Sequence, residues 1–531
     1  MIKKLRFYYL LLVAYSKRNT RQILRLGLYL LFVFVFFRLT FFGFWQPLVN
    51  RTTAALSKTT YIEGKVGSVK SLNPIFEATE AEKEINQLIF RGLTKIGPSG
   101  QIETDLAENY ELFGSTDYIF RLKKNIYWQD GKKFTADDVV YTIRQAQDPN
   151  LAASARTAFK DVGIEKLDEY TIKFTLKEPF APFLSQTTLG IIPAHISLKS
   201  YRPVGTSGFR VASFSREKIV LTNSKRDLVF KLYPTAEKAI LALKQGEIKA
   251  LGGLSRNEIE QFKNWHNLKI YSQTLPSRVV TIFFNTRAEF VSDKLVRQAL
   301  AQAAPKEKLL NFANPASEQA QGPFPKENSL GLRQAERFPL DLAKAAQRLE
   351  SSGWKKQNSF LKKAGKTLTL TLTLPRDPDF EKIAAEIGAM WAKLGIAFQT
   401  IELGSEELTD AIKRTQFQAV LTTAEISDDP DQYVLWHSTQ IAQGNITSIA
   451  SPKLDKLLED GRKSNDLKIR KDRYTEFVRI LADESPAIFL YYPGYSWVVN
   501  ARINNIELNY FQSPADRFQN VSSWKIPKLV I

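Results

Sequence analysis

The sequence predicts an α/β protein of two or three subdomains behind a single transmembrane helix, and three observations predict it. At 531 residues the chain exceeds what one ordinary hydrophobic core organises. Residues 368–401 read as strand, helix and strand, the unit that makes a parallel strand pair. Twenty residues from Leu26 to Trp45 carry one charge, enough helix to cross roughly 30 Å of hydrocarbon.

The apolar span comes first. LGLYLLFVFVFFRLTFFGFW is interrupted only by Arg38. That arginine costs about 2.5–3.5 kcal/mol near a bilayer centre, while each Leu, Phe or Val returns about 0.3–0.6 kcal/mol. The surrounding apolar residues outweigh it, and its long side chain can also reach toward the interface. Residues 1–57 hold nine bases and no acid, and most of those bases precede Leu26. Positive charge on the N-terminal side places residues 1–25 in the cytoplasm as a basic segment and the main domain outside. A cleaved signal peptide competes, but the apolar core is long and QPLVNRTTAALS is a weak cleavage site. The reading adopted is an uncleaved anchor over 26–45, a linker over 46–57, and a single-pass protein of the cell membrane.

Composition narrows the rest. Hydrophobic content of 44% and charged content of 24% are those of a folded globular protein. The absence of cysteine excludes disulfides, thiolate metal sites, a cysteine nucleophile and a lipidated N-terminal cysteine. His195, His266 and His437 are too scattered for a histidine metal site, so no metal is expected. The formal charge of +19 leaves +10 once the nine bases of residues 1–57 are subtracted. No nucleic-acid motif accompanies that charge, and an anionic membrane or envelope is the simpler counterpart. The sequence holds no G-x-S-x-G, P-loop, H-E-x-x-H or dinucleotide fingerprint, so neither catalysis nor a cofactor is expected. Asp137 and Asp138 sit in the first turn of a predicted helix, where the dipole favours acids.

Local elements follow from patterning. Tyr118, Phe120 and Leu122 alternate with Ile119, Arg121 and Lys123, as in a half-buried strand. Asp130-Gly131 makes a turn, and Thr135 with Asp138 resembles a capping box for a helix carrying Val139, Val140 and Ile143 inward. A strand is expected over 281–285, and an amphipathic helix over 293–303. Gly353 stops a further helix over 341–352. Leu368, Leu370, Leu372 and Leu374 alternate with threonines as a strand. A helix over about 379–394 ends at Gly395, and the next strand spans 396–401.

The residues from Phe120 to Ile143, FRLKKNIYWQDGKKFTADDVVYTI, closely resemble the signature region of the family 5 extracellular solute-binding proteins, the peptide- and nickel-binding receptors of ABC importers. Further matches follow in the family's order. Leu72-Asn73-Pro74 opens the series, then Ile89–Leu93, the GTSGF of Gly205–Phe209, Gly246-Glu247-Ile248, the strand ending at Asn285 and RKDRYTEFVRILADESPAIFLY from Arg470. The resemblance covers residues 60 to 531. It implies a two-lobed type II periplasmic-binding-protein fold with an extra subdomain. Lobe I then combines 58–75, 190–277 and 493–531, the extra subdomain is 76–189, and lobe II is 278–492.

The resemblance also implies a function. The protein is expected to be a monomeric solute-binding receptor that closes on oligopeptides between its lobes and hands them to ABC permease subunits. Another small solute (an oligosaccharide or a nickel chelate), a sensor without transport, and an envelope hydrolase are the alternatives. In peptide receptors an aspartate of one loop meets the peptide amine. Aligned on Asp429-Pro430, that place falls on Ile426 here, so Glu425 or Asp428 is the candidate substitute, and the alternative is a solvated acidic turn. Candidate ligand-binding residues are Asn73, Phe209, Asn285, Glu425, Asp428, Asp429 and Trp436.

Overall fold

A computed structural model describes residues 29–38 and 58–528, except 98, 152, 335 and 428. Residues 29–38, half of the expected span over 26–45, are helical. The rest of that span, the basic segment 1–25, the linker 46–57 and Asp428 lie outside the described residues. Among the described residues no helix is long and apolar enough to cross a membrane.

Two compact units are distinguished. Of the described residues, one takes in 29–38, 58–60, 224–227 and 528. Within it Lys58 Nζ stands 3.5 Å from Asp227 Oδ1, and Thr59 N donates to Lys225 O at 3.2 Å. The other takes in 61–223 and 228–527 and carries the candidate site.

Three of the five sheets among the described residues organise the lobes and the body beside them. A six-stranded sheet, here the centre of lobe II, runs in the order Glu318–Gln319, Ala487–Tyr492, Arg278–Phe284, Ala419–Glu425, Thr369–Pro375, Ala397–Leu403. The leucines of Thr369–Pro375 point into the core because side chains alternate across a strand. That strand pairs in parallel with Ala397–Leu403, from Thr369↔Ala397 to Pro375↔Leu403. The helix Pro378–Lys393 crosses between them, capped by Asp377, whose carboxylate accepts from Asp379 N at 2.9 Å. Gly395 then takes φ +89°, which lets the chain reverse into the second strand.

A seven-stranded sheet, the centre of lobe I, runs Leu268–Thr274, Gly494–Asn500, Ala250–Gly252, Thr59–Val66, Arg226–Tyr233, Lys218–Thr222, Arg210–Phe214. Beneath it lies a buried charge cluster. Arg517, with no exposed surface, meets Glu63 at 2.5 Å and Glu84 at 2.6 Å, and Lys65 meets Glu63 at 2.7 Å and also pairs with Glu84. Two acids and two bases cancel, which is the condition for burying charge.

A four-stranded antiparallel sheet (Ala107–Phe113, Asp117–Leu122, Thr171–Leu176, Val162–Asp168) packs its apolar face on the helix Ala136–Gln147. The capping box is present: Thr135 N donates to Asp138 Oδ2 at 2.9 Å. Asp138 also accepts from Ala194 N at 2.8 Å and Trp128 Nε1 at 3.2 Å. It therefore joins three segments of the chain. His195 is tied down too, with Nε2 2.7 Å from Asp130 Oδ2.

The chain passes between lobes I and II twice. It leaves strand Leu268–Thr274 for Arg278–Phe284, and it leaves Ala487–Tyr492 for Gly494–Asn500. The crossings are bonded to each other, since Leu275 N donates to Pro493 O at 2.8 Å. Nearby, Thr274 Oγ1 donates to Ala316 O at 2.7 Å and Gly494 N to Ser317 Oγ at 2.8 Å.

Candidate functional site

The first crossing delivers Arg278 to the start of a lobe II strand, directly opposite Glu425 at the end of its neighbour. Ile426 N donates to Ser277 O at 2.7 Å and pins that end beside the crossing. The Glu425 side chain is 70% exposed. Facing it is the helix Glu80–Ile89, which packs on the core of lobe I and is capped by Thr79 and Glu82. Glu80 pairs with Arg278, and Lys83 Nζ stands 3.5 Å from Glu425 Oε1, with Arg278 at 3.8 Å from the same atom. Four alternating charges thus bridge the two lobes beside the crossing.

Glu77 lies just before that helix. Burial pushes its carboxyl up to about 7, against the hydrogen bond from Asn86 Nδ2 at 3.0 Å and the nearby Lys83. A carboxyl near neutrality beside an interlobe charge cluster is a feature of functional sites.

Beyond Glu425 the acidic loop is held rather than free. Asp429 accepts two hydrogen bonds from the Arg470 guanidinium, at 2.9 and 2.6 Å. Asp431 Oδ2 accepts from Arg462 Nη2 at 3.0 Å. Burial raises Asp431 above the ordinary carboxylate range although Arg462 opposes the shift.

The other candidates are internal. Trp436 is 1% exposed, packs against Phe283 and Phe489, and donates from Nε1 to Gln432 Oε1 at 2.9 Å. Asn285 is buried, donating to the carbonyls of Thr415 and Phe417 and accepting from Arg287 N at 3.1 Å. Phe209 belongs to the lobe I core. Asn73 is buried with Oδ1 accepting from Ile75 N at 3.0 Å, a turn that sets the course of the chain toward Glu77. Of the candidates, Glu425 alone combines wide exposure with an interlobe position among the described residues. Sequence reading passed over Glu77, Glu80, Lys83 and Arg278. They sit at ordinary helix and strand termini, and no local pattern marks which termini face each other. Among the described residues no group of three or more His, Asp or Glu is placed to hold a metal ion.

The model of the bacterial extracellular solute-binding proteins, family 5 middle region, matches residues 101–445. The chain belongs to this family. A family 5 relative, the oligopeptide-binding protein AppA of Bacillus subtilis, is 26% identical over 88% of this chain and 91% of its own length. The structure of AppA from Bacillus subtilis in complex with a nonapeptide superimposes with a TM-score of 0.72, at 24% identity, covering 89% of this chain and 100% of that one. NikZ from Campylobacter jejuni in complex with Ni(L-His) superimposes with a TM-score of 0.73, at 24% identity, over 88% and 99%. The α/β two-lobed periplasmic-binding-protein fold is shared with both. The family 5 match takes in the four-stranded sheet, Arg278 and Glu425 together.

Proposed function

We propose that this family 5 protein is an extracytoplasmic receptor that binds short peptides between lobes I and II and delivers them to an ABC permease. The observation that carries the reading is the placement of Glu425. Its exposed carboxylate stands at the lobe boundary and already has an ammonium, that of Lys83, 3.5 Å away. A peptide's α-amino group is chemically the same cation and can take that place, with the extended backbone running along the strand edges. The names of relatives that bind oligopeptides and dipeptides support the same class. Closure follows from a ligand that contacts both lobes and so favours the closed arrangement.

The lobe boundaries proposed are 58–75, 190–277 and 493–531 for lobe I, 76–189 for the extra subdomain and 278–492 for lobe II. The span over 26–45 is proposed to hold the receptor at the membrane, on the argument of its length, apolarity and one-sided basic flank.

Calorimetry with a panel of di- to nonapeptides tests the ligand class. A charge-assisted hydrogen bond contributes about 1.5–3 kcal/mol, so Glu425→Gln weakens peptide binding about tenfold to a hundredfold. N-acetylation of the peptide produces a loss of the same size in the wild type and no further loss in the variant. Unchanged affinity for acetylated peptide removes the amine anchor, and tight binding of an uncharged oligosaccharide or a nickel chelate replaces the peptide class.

A further inference from the structure

The four-stranded body meets lobe II far along the chain from the crossings. Phe180 packs on the core of the four-stranded body, just past strand Thr171–Leu176. Helix Pro452–Lys463 of lobe II ends beside it. The Arg462 guanidinium carbon lies 4.8 Å from the centroid of the Phe180 ring and 4.0 Å from that of Tyr433. One planar cation is therefore held between two rings that belong to different bodies. Tyr433 in turn stacks on His437 with centroids 4.0 Å apart and planes 17° from parallel. The edge of the guanidinium is engaged as well, because Arg462 Nη2 donates to Asp431.

Two further bonds cross the same boundary. Ala181 N donates to Arg462 O at 2.8 Å. A carbonyl in the last turn of a helix has no partner within the helix, so this one is satisfied from the opposite body. Lys463 Nζ pairs with Glu178 Oε2 at 2.7 Å. Each contact joins residues far apart in sequence.

We propose that Arg462 is a positioning residue, which couples the loop from Asp429 to Tyr433 to contact between the four-stranded body and lobe II through its place between Phe180 and Tyr433. Arg462 is bonded to Asp431 within that loop, and it is covered by Phe180 only when the two bodies touch. The contact thus both holds the bodies together and sets the position of the loop. Lysine cannot replace it fully, since the stacked place requires a flat, weakly hydrated cation. The coupling does not rest on the receptor reading.

The test exploits the absence of cysteine from the chain, which makes any introduced thiol unique. Spin labels are placed on the full-length protein at Glu165→Cys in the four-stranded body and Asp472→Cys in lobe II, both exposed. Label–label distances are measured with no ligand added. Phe180→Ala, alone and with Glu178→Gln, shifts population to longer distances, and a desolvated cation–π contact corresponds to about a 2- to 30-fold fall in the closed-to-open ratio. Hydrogen exchange of residues 429–433 rises in the same variants, and Phe180→Tyr restores both readouts. Distances and exchange in the double variant that coincide with those of the labelled parent overturn the proposal, as does a labelled parent that already populates only the long distance. A failed peptide titration leaves these readouts unaffected, so the two hypotheses fail separately.

Discussion

The guanidinium of Arg470 grips Asp429 with two parallel hydrogen bonds, across 41 positions of sequence. Arg470 Nε meanwhile donates to Gly461 O at 3.0 Å, so one side chain fastens the acidic loop to the end of helix Pro452–Lys463. Burial works against the charge of Arg470, but the hydrogen bonds and charge of Asp429 hold it above its ordinary range.

Arg470→Ala should therefore cost about 3–5 kcal/mol, the loss typical of one partner removed from a buried ion pair. Asp429→Asn, which keeps the shape and one acceptor, should cost less. Urea unfolding of both variants checks the order, and equal losses would show that the pair acts through charge alone, with no share from the packing of the Arg470 side chain.

The Arg517 cluster predicts a sharper asymmetry. Burial raises Glu63, but Arg517 and Lys65 outweigh that effect and hold its carboxyl at about 2. Arg517→Met leaves Glu63 and Glu84 facing Lys65 alone, and a destabilisation above about 3 kcal/mol is expected. The further change of Glu84→Gln should recover part of it. Thermal melts at pH 7 of the single and double variants measure the recovery.

Glu77 makes stability fall with rising pH over a defined window. Its ordinary value is 4.5 and its folded value about 7. Below about 4.5 the carboxyl is protonated in both folded and unfolded chains. Between about 4.5 and 7 the unfolded chain releases a proton that the folded chain keeps, so folding loses about 3 kcal/mol, and the loss levels off above 7. Glu77→Gln should remove this decline and be the more stable protein at pH 8. Denaturant midpoints at pH 4.5, 6 and 8 for both proteins decide it.

Gly205 is required by close approach. A Cβ there would stand 1.8 Å from Ile89 O and 2.8 Å from Ile89 Cγ2. Neither backbone can yield freely, because Gly205 N accepts no slack either: it donates to Gln129 Oε1 at 3.1 Å. Gly205→Ala should cost about 1–3 kcal/mol by overpacking. Gly208→Ala, three residues on in open space, should cost far less, and paired melting curves compare them.

Intact-mass measurement of the membrane fraction bears on the proposed anchor. The expected species starts at Met1 and partitions with detergent. A mature soluble form beginning after about residue 50 would sink the anchor.

Elements with local causes were legible in the sequence. The leucine–threonine alternation of 368–374, the Thr135–Asp138 box and the stop at Gly395 each depend on residues within a few positions, so patterning alone locates them. Helix starts at Asp293 and Asp341 were readable for the same reason, since each carboxylate accepts from the backbone two or three residues on. The order of the family motifs likewise carried the fold, because those motifs mark turns and packing contacts along one chain.

Of the residues singled out in the sequence, Glu425 is the one that stands exposed at the lobe boundary among the described residues. Asn73, Asn285 and Trp436 belong to family-like segments, yet their side chains are spent on internal bonds and packing, which no spacing rule foretells. What the sequence by itself determined was the elements with local signals, the order of the motifs and the family. What only the tertiary structure decided was which termini meet: Glu80 against Arg278, 198 positions apart, Lys83 against Glu425, and Phe180 against Arg462. Hydrogen bonding along a helix or strand is fixed by neighbours in the chain, whereas contact between lobes depends on how whole sheets pack and where the chain crosses between them, and that information is spread over hundreds of residues.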